Sequence, residues 1–163
     1  MADIAGAEAD TGAAAALRAA CSVAGPGLHL PDWSAADWRR LLEMTEPRSI
    51  PAGTALIRRG ATGRALYIVV SGTLEVMAHA GDGMSMGRVA RVDPGGVVGE
   101  QAFFDAAPRT AGAWAVEDCT VAALTPDAFA AFRARDPVRA SDFLFALGRV
   151  QAMRLRSASA SMR

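Results

Sequence analysis

The apolar and polar positions of this chain fall into distinct regimes. Between residues 34 and 44, Trp38, Leu41 and Leu42 recur at i, i+3 and i+4, the spacing that gathers side chains on one helix face. Ser34 followed three residues later by Asp37 gives that helix a capping-box start, and Pro47 and Pro51 end helical structure. From Ile50 to Leu124 the pattern shortens into apolar runs cut by Gly, Asp and Pro. It predicts strands at 55–58, 66–70, 73–78, 86–92, 111–116 and 119–124. Turns fall at 60–63, at Ser71-Gly72, at 80–83 and at 93–96. Short strands at this spacing make a barrel or a two-sheet roll. The helical period then returns. Thr125 caps a helix with Pro126 in its first position and Phe129 and Phe132 on one face. Asp136-Pro137 breaks it, and residues 138–156 form a longer helix with Phe143, Leu144, Leu147, Val150 and Leu155 among its apolar positions.

Residues 1–30 are different. Small residues and Gly25-Pro26-Gly27 leave room for one Ala-rich helix around 12–22, because Ala raises helix propensity but supplies little burial. The expectation is an extension over 1–30, partly disordered or helical, followed by a single domain over 31–163. Within that domain the roll covers about 50–124 and the C-terminal helices about 125–156. The order of helix, roll and two helices makes the chain α+β and mainly β. A length of 163 residues suits one domain with a short appendage.

Charge and composition narrow the function. Basic and acidic residues balance at 17 each, so no global field draws the chain toward nucleic acid or an anionic membrane. Every basic residue is Arg, which we read as bacterial composition bias. Cys21 and Cys119 stand far apart, in no CxxC or metal-ligand spacing, which points to a reduced, cytoplasmic setting without disulfides. His29 and His79 are too few and too separated for a metal site, so a metal-dependent enzyme on such a roll is not expected. The N-terminus lacks the basic start of a secretory signal. No apolar run reaches the ~20 residues that span a bilayer, so no membrane segment is expected in this chain.

One segment carries chemistry. Gly99-Glu100-Gln101-Ala102-Phe103-Phe104 sits where a strand hands over to a brief helical turn, and Arg109 follows in Pro108-Arg109-Thr110-Ala111, just before the next strand. A helical turn leaves backbone N–H groups unpaired at its start, which favours an anion. Arg109 adds a planar, permanently charged fork suited to phosphate oxygens, and Glu100 supplies the opposite polarity for ribose hydroxyls. Gly99 leaves space for close approach to the backbone. One Arg, one Glu and a turn of free amides suit a cyclic ribose-phosphate, and none of them needs to do covalent chemistry. The bland alternative is a direct Glu100–Arg109 ion pair in a vacant pocket. Phe103, Phe104 and Trp114 read as core residues, the two Phe pinning this segment.

The whole arrangement resembles the cyclic nucleotide-binding domain family over roughly residues 34–156. The framework is Ile50-Pro51-Ala52-Gly53-Thr54-Ala55-Leu56-Ile57, then Gly60, Leu66-Tyr67-Ile68-Val69-Val70-Ser71-Gly72 and Pro94-Gly95, with the phosphate-binding cassette from Gly99 to Ala111. The resemblance implies a double-stranded β-roll, or jelly roll, that senses a ligand and is not an enzyme, with no catalytic residues and no cofactor. It implies that Arg109 holds the exocyclic phosphate and Glu100 the ribose 2′-hydroxyl, while the amides of Gln101, Ala102, Thr110 and Ala111 close the cassette. It further implies a helix that closes over the base, making Arg149, Met153 and Arg154 candidates to contact it; solvated helix charges are the plainer reading. Thr110 leaves open cyclic AMP (cAMP) or cyclic GMP (cGMP), with cAMP favoured. Gln101 and Gly112-Ala113-Trp114 depart from the family pattern, where an apolar residue and an early β-branched residue are commoner.

The implied output is signal transduction from a regulatory domain through the last helix, to a homodimer partner or a separate effector protein. Seven residues follow Arg156, too few for a helix-turn-helix, so DNA binding is not expected of this chain. Two alternatives stand beside the sensor: a roll that serves as an interaction module and no longer binds ligand, and a detached regulatory tail. For the latter, Gly96-Val97-Val98-Gly99-Glu100, Pro108-Arg109 and Asp136-Pro137 look similar to cytoplasmic tails of some bacterial anion transporters.

Overall fold

The computed structural model describes residues 2–79 and 86–162; the turn predicted at 80–83 lies outside them. In chain order the elements are α1 (Ala2–Ser22), α2 (Ala35–Leu42), β1 (Glu46–Ile50), β2 (Ala55–Ile57), β3 (Leu66–Ser71), β4 (Leu74–His79) and β5 (Met86–Val92). There follow β6 (Val97–Val98), α3 (Glu100–Asp105), β7 (Gly112–Ala115), β8 (Cys119–Leu124), α4 (Pro126–Arg135) and α5 (Pro137–Ser161). The strands pair antiparallel into two four-stranded sheets, ordered β1-β8-β3-β6 and β2-β7-β4-β5. This is the roll expected from the sequence, with helices before and after it.

The strands β3 and β8 read as nearly continuous apolar runs because both of their faces are buried. Leu66, Ile68, Ala122 and Leu124 point outward into a helical core with Trp38, Leu41, Phe129, Phe132, Phe143 and Leu147. Tyr67, Val69, Val121 and Ala123 point inward and fill the roll with Ile57, Leu74, Val92 and Val98. The first sheet therefore serves as a shared wall between the two cores. Strand β1 escaped the sequence reading because Pro47 and Pro51 look like breakers; β1 lies at a sheet edge, where a proline's missing donor costs no ladder bond. Strand β6, two residues at the other edge, is too short to give a pattern.

Helix caps follow their sequence signals. The Ser34 hydroxyl accepts from the Asp37 amide at 3.2 Å, while the Ser34 amide donates to the Asp37 carboxylate at 2.8 Å. Thr125 caps α4 through the Ala128 amide, and Asp136 both ends α4 and caps α5 through the Arg139 amide. The break at Asp136-Pro137 is thus a junction where one helix hands directly to the next.

The helix expected around 12–22 is longer: α1 runs from Ala2 to Ser22, and its Ala14, Leu17 and Cys21 are completely buried against the main core. Their spacing of three and four forms a narrow apolar stripe, and small residues allow close approach to α2. Burial pushes the Cys21 thiol up to about 12, so it sits in the core as a neutral group. Two corrections concern side chains: Phe104 is 48% exposed and Leu155 69% exposed, so only Phe103 of the pair pins its helix, packing edge-on against Phe129.

Candidate functional site

The short strand β6 delivers the chain to Gly99, which holds φ at +79° and starts α3. That left-handed conformation favours glycine, and the space is tight as well. A Cβ there would lie 2.7 Å from Arg109 Nη1 and 3.0 Å from the Ala65 carbonyl oxygen. The first bond within α3 runs from the Phe103 amide to the Gly99 carbonyl at 3.3 Å, which leaves the amides of Gln101 and Ala102 without an acceptor inside the helix. At its other end the helix is clamped by Arg64, which donates to the Phe103 carbonyl at 3.0 Å and the Ala102 carbonyl at 3.4 Å.

Arg109 arrives from the opposite side, its backbone paired with the turn after β2. Its amide donates to the Ala61 carbonyl and its carbonyl accepts from the Gly60 amide, both at 2.8 Å. The side chain turns inward, 6% exposed, and donates to the Gly99 carbonyl at 2.8 Å and the Ala65 carbonyl at 2.6 Å. Among the described residues no carboxylate lies within 4 Å of it. Burial pushes the guanidinium below its ordinary value, with Tyr67 and Glu100 acting in the other direction. A buried cation oriented by two neutral carbonyls is poised for an anion.

Glu100 is equally hidden, at 4% exposure, yet it does not pair with Arg109. The direct Glu100–Arg109 bridge considered above is absent. Instead Arg154 of α5 reaches in, donating Nη1 to Glu100 Oε1 at 2.5 Å and Nη2 to the Val97 carbonyl at 2.6 Å. One face of the site is therefore a cation and the other a carboxylate already engaged by the last helix. Both border an open cavity of about 1260 Å³ lined by the roll, α3, α5, the end of α1 and the segment after it.

Gly99, Glu100, Gln101, Ala102, Arg109, Thr110, Ala111 and Arg154 all line this cavity, as does Met153. Thr110 is exposed and its hydroxyl donates to Gln101 Oε1 at 3.0 Å, so the unusual Gln101 serves as a tie across the cassette. Gly112, the other departure, lies under the Trp114 ring: a Cβ would come within 2.3 Å of it. Trp114 is half-buried and covers the strand from outside the two cores. Arg149 does not line the cavity; it donates to the Gly25 carbonyl at 3.0 Å and the Gly27 carbonyl at 3.4 Å.

The residues missed by sequence reasoning are those brought in from far along the chain. Ala20, Val23, Pro26 and Leu28 are part of the cavity's lining, and Gln151 lines it from α5 with a buried amide nitrogen that has no hydrogen-bond partner. Their only signal was Gly25-Pro26-Gly27, which marks a loop but not its destination. Among the described residues no group of three or more His, Cys, Asp or Glu is placed to hold a metal ion, and no helix is long and apolar enough to cross a membrane.

Residues 47–136 match the family described as "Cyclic nucleotide-binding domain". The cyclic AMP receptor protein of Thermus thermophilus is 32% identical over 117 residues, covering 72% of this chain and 52% of that protein. The CRP-like cAMP-activated global transcriptional regulator of Mycobacterium tuberculosis is 29% identical over 116 residues, covering 71% and 50%. The chain thus spans about half the length of the curated relatives it matches. Among solved structures, the Thermus thermophilus catabolite activator protein superposes with a TM-score of 0.69 at 29% identity, over 80% of this chain and 59% of that one. The relatives are regulatory proteins, and the match covers the cassette and the strands that hold it: the chain belongs to the cyclic nucleotide-binding domain family.

Proposed function

We propose that this chain is a cAMP sensor module whose last helix carries the signal of occupancy. The observation that supports it most is the pairing at the cavity. Arg109 is a buried cation held only by neutral carbonyls, and Glu100 beside it is a buried carboxylate whose partner comes from α5. In this reading the exocyclic phosphate meets Arg109 and the amides of Gln101 and Ala102, while the ribose 2′-hydroxyl donates to Glu100. Glu100 then shares its oxygens between ligand and Arg154, so occupancy alters the contact that holds α5 to the roll.

Cyclic AMP is favoured over cyclic GMP because the curated relatives are named for cAMP. The Thr110 hydroxyl donates to Gln101 and keeps its lone pairs to accept from a guanine amino group, so it does not discriminate between the two. Downstream, α5 exposes Val138, Phe145 and Leu155, and Met162 is exposed just after it, the four spaced by seven, ten and seven residues. That is an a/d-type seam, and we assign a second copy of the chain as its occupant, because a two-fold pairing of α5 matches such a seam to itself. A relative named as a transcriptional regulator is matched over half of its own length, so an output to DNA is one route the signal could take, with α5 as the element that carries it.

Calorimetric titration of the purified chain with cAMP, cGMP and adenosine 5′-monophosphate tests the reading. The expected result is saturable binding of cAMP, weaker binding of cGMP and none of the acyclic nucleotide. No heat from either cyclic nucleotide up to millimolar concentration would overturn it.

A further inference from the structure

Arg149 was a candidate to touch the base, yet its guanidinium points away from the cavity to the Gly25 and Gly27 carbonyls, more than 120 residues earlier in the chain. The loop it holds is joined to the roll on its other side. The Leu28 amide donates to the Gly95 carbonyl at 2.9 Å, and Gly27 lies so close that a Cβ would stand 2.6 Å from that same oxygen. Gly95, at φ +85°, in turn packs under the end of α1: a Cβ there would meet Ala20 at 3.1 Å and Cys21 Sγ at 3.2 Å. Two residues after Gly95 the chain enters Val97-Val98, whose Val97 carbonyl accepts from Arg154, and then Gly99-Glu100. Residues 25–28 therefore touch both structures that border the ligand-facing groups, namely the turn feeding the cassette and α5.

The same segment walls the cavity. Its volume of about 1260 Å³ exceeds the roughly 300–1,000 Å³ usual for a small-molecule site, and Ala20, Val23, Pro26 and Leu28 are part of its lining. That segment is held by the Leu28–Gly95 and Leu30–Cys21 backbone bonds, by burial of Leu28 and Leu30 in the main core and by the two bonds from Arg149.

We propose that Arg149 is a positioning residue: it seats residues 25–28 as a wall of the nucleotide cavity, and so links occupancy of that cavity to the docking of α1. The inference rests on the cyclic-nucleotide reading of the cavity. Arg149 itself touches no ligand. Its contribution is to keep the binding-competent shape populated, and a ligand that needs that shape stabilises it in return. Both carbonyls accept from Nη1, so one charged nitrogen clamps two points of the same loop with charge-assisted bonds.

The test is amide hydrogen exchange together with calorimetry on the full chain, comparing wild type with Arg149→Leu and Arg149→Lys. In free Arg149→Leu, exchange over residues 20–30 is expected to rise about tenfold, the low end for losing hydrogen bonds to a charged group, while amides of β3 and β8 stay as protected as in wild type. Its affinity for cAMP is expected to fall about three- to tenfold, as the competent shape loses population. Arg149→Lys should recover part of both. In wild type, cAMP should slow exchange over 20–30 as well as over the cassette. Wild-type affinity in Arg149→Leu, or unchanged exchange over 20–30, overturns the proposal. So does a wild type that binds cAMP with no response over 20–30, and that result leaves the sensor reading standing. If wild type binds no cyclic nucleotide, the sensor reading falls and takes the linkage with it.

Discussion

Asp37 and Arg109 are buried almost equally, at 5% and 6% exposure, yet they are held in opposite ways. Asp37 accepts from the Ser34 amide and hydroxyl and from the guanidinium groups of Arg40 and Arg139, at 2.8–3.1 Å, which ties α2 to the start of α5. Burial pushes its carboxyl up, but the bonds from Ser34 and the charge and bonds of Arg139 outweigh it, and the net shift is below the ordinary value. For Arg109 burial prevails, because its direct partners are two neutral carbonyls. A buried charge surrounded by opposite charges is part of the framework. One left with neutral partners beside a cavity has its counter-charge still to come.

That contrast gives predictions of decreasing size. Arg109→Ala should weaken cAMP binding by about 2–5 kcal/mol, roughly 30-fold or more, the range for removing one side of a buried charge pair. Calorimetry reads it directly, and normal affinity would mean the phosphate lies elsewhere. Asp37→Asn should do the reverse. It should leave cAMP affinity within about twofold while lowering the unfolding free energy in urea by about 2 kcal/mol, less than for a fully enclosed pair because Arg40 and Arg139 keep contact with solvent. The smallest effect is in pH. With its folded-state value below the unfolded 3.8, Asp37 contributes stability that is fully present above that value and lost as pH falls through the folded one. The stability gap between wild type and Asp37→Asn should therefore hold at neutral pH and narrow below about pH 4.

The same contrast explains what could be seen in the sequence. Gly99, Glu100 and Arg109 lie within eleven residues, and their backbone setting, a glycine and a tight turn into a strand, is written locally. The capping box of α2 and the Thr125 and Asp136 caps are legible for the same reason. Partners at long range were not. Arg154 meets Glu100 across 54 residues and Arg149 meets Gly25 across 124, and nothing in a helix period says which of its polar positions will face a cavity. Residues 1–30 looked thin because composition measures how much apolar area a helix has. It does not measure how closely small residues let the helix approach, and the stripe of Ala14, Leu17 and Cys21 is enough once α2 lies against it. Phe104 misled in the other direction. Two adjacent Phe on a six-residue helix cannot both face one core, and only Phe103 does.

Arg109 thus belongs to the ligand and Asp37 to the fold. The unfolding free energy of ligand-free Arg109→Ala in urea, measured beside Asp37→Asn, separates the two roles. The expected result is an Arg109→Ala protein within about 1 kcal/mol of wild type, since truncation removes a buried cation that lacks a counter-charge and opens its two carbonyls to water in the cavity. A loss equal to or greater than that of Asp37→Asn would make Arg109 a structural member of the roll and remove it from the ligand site.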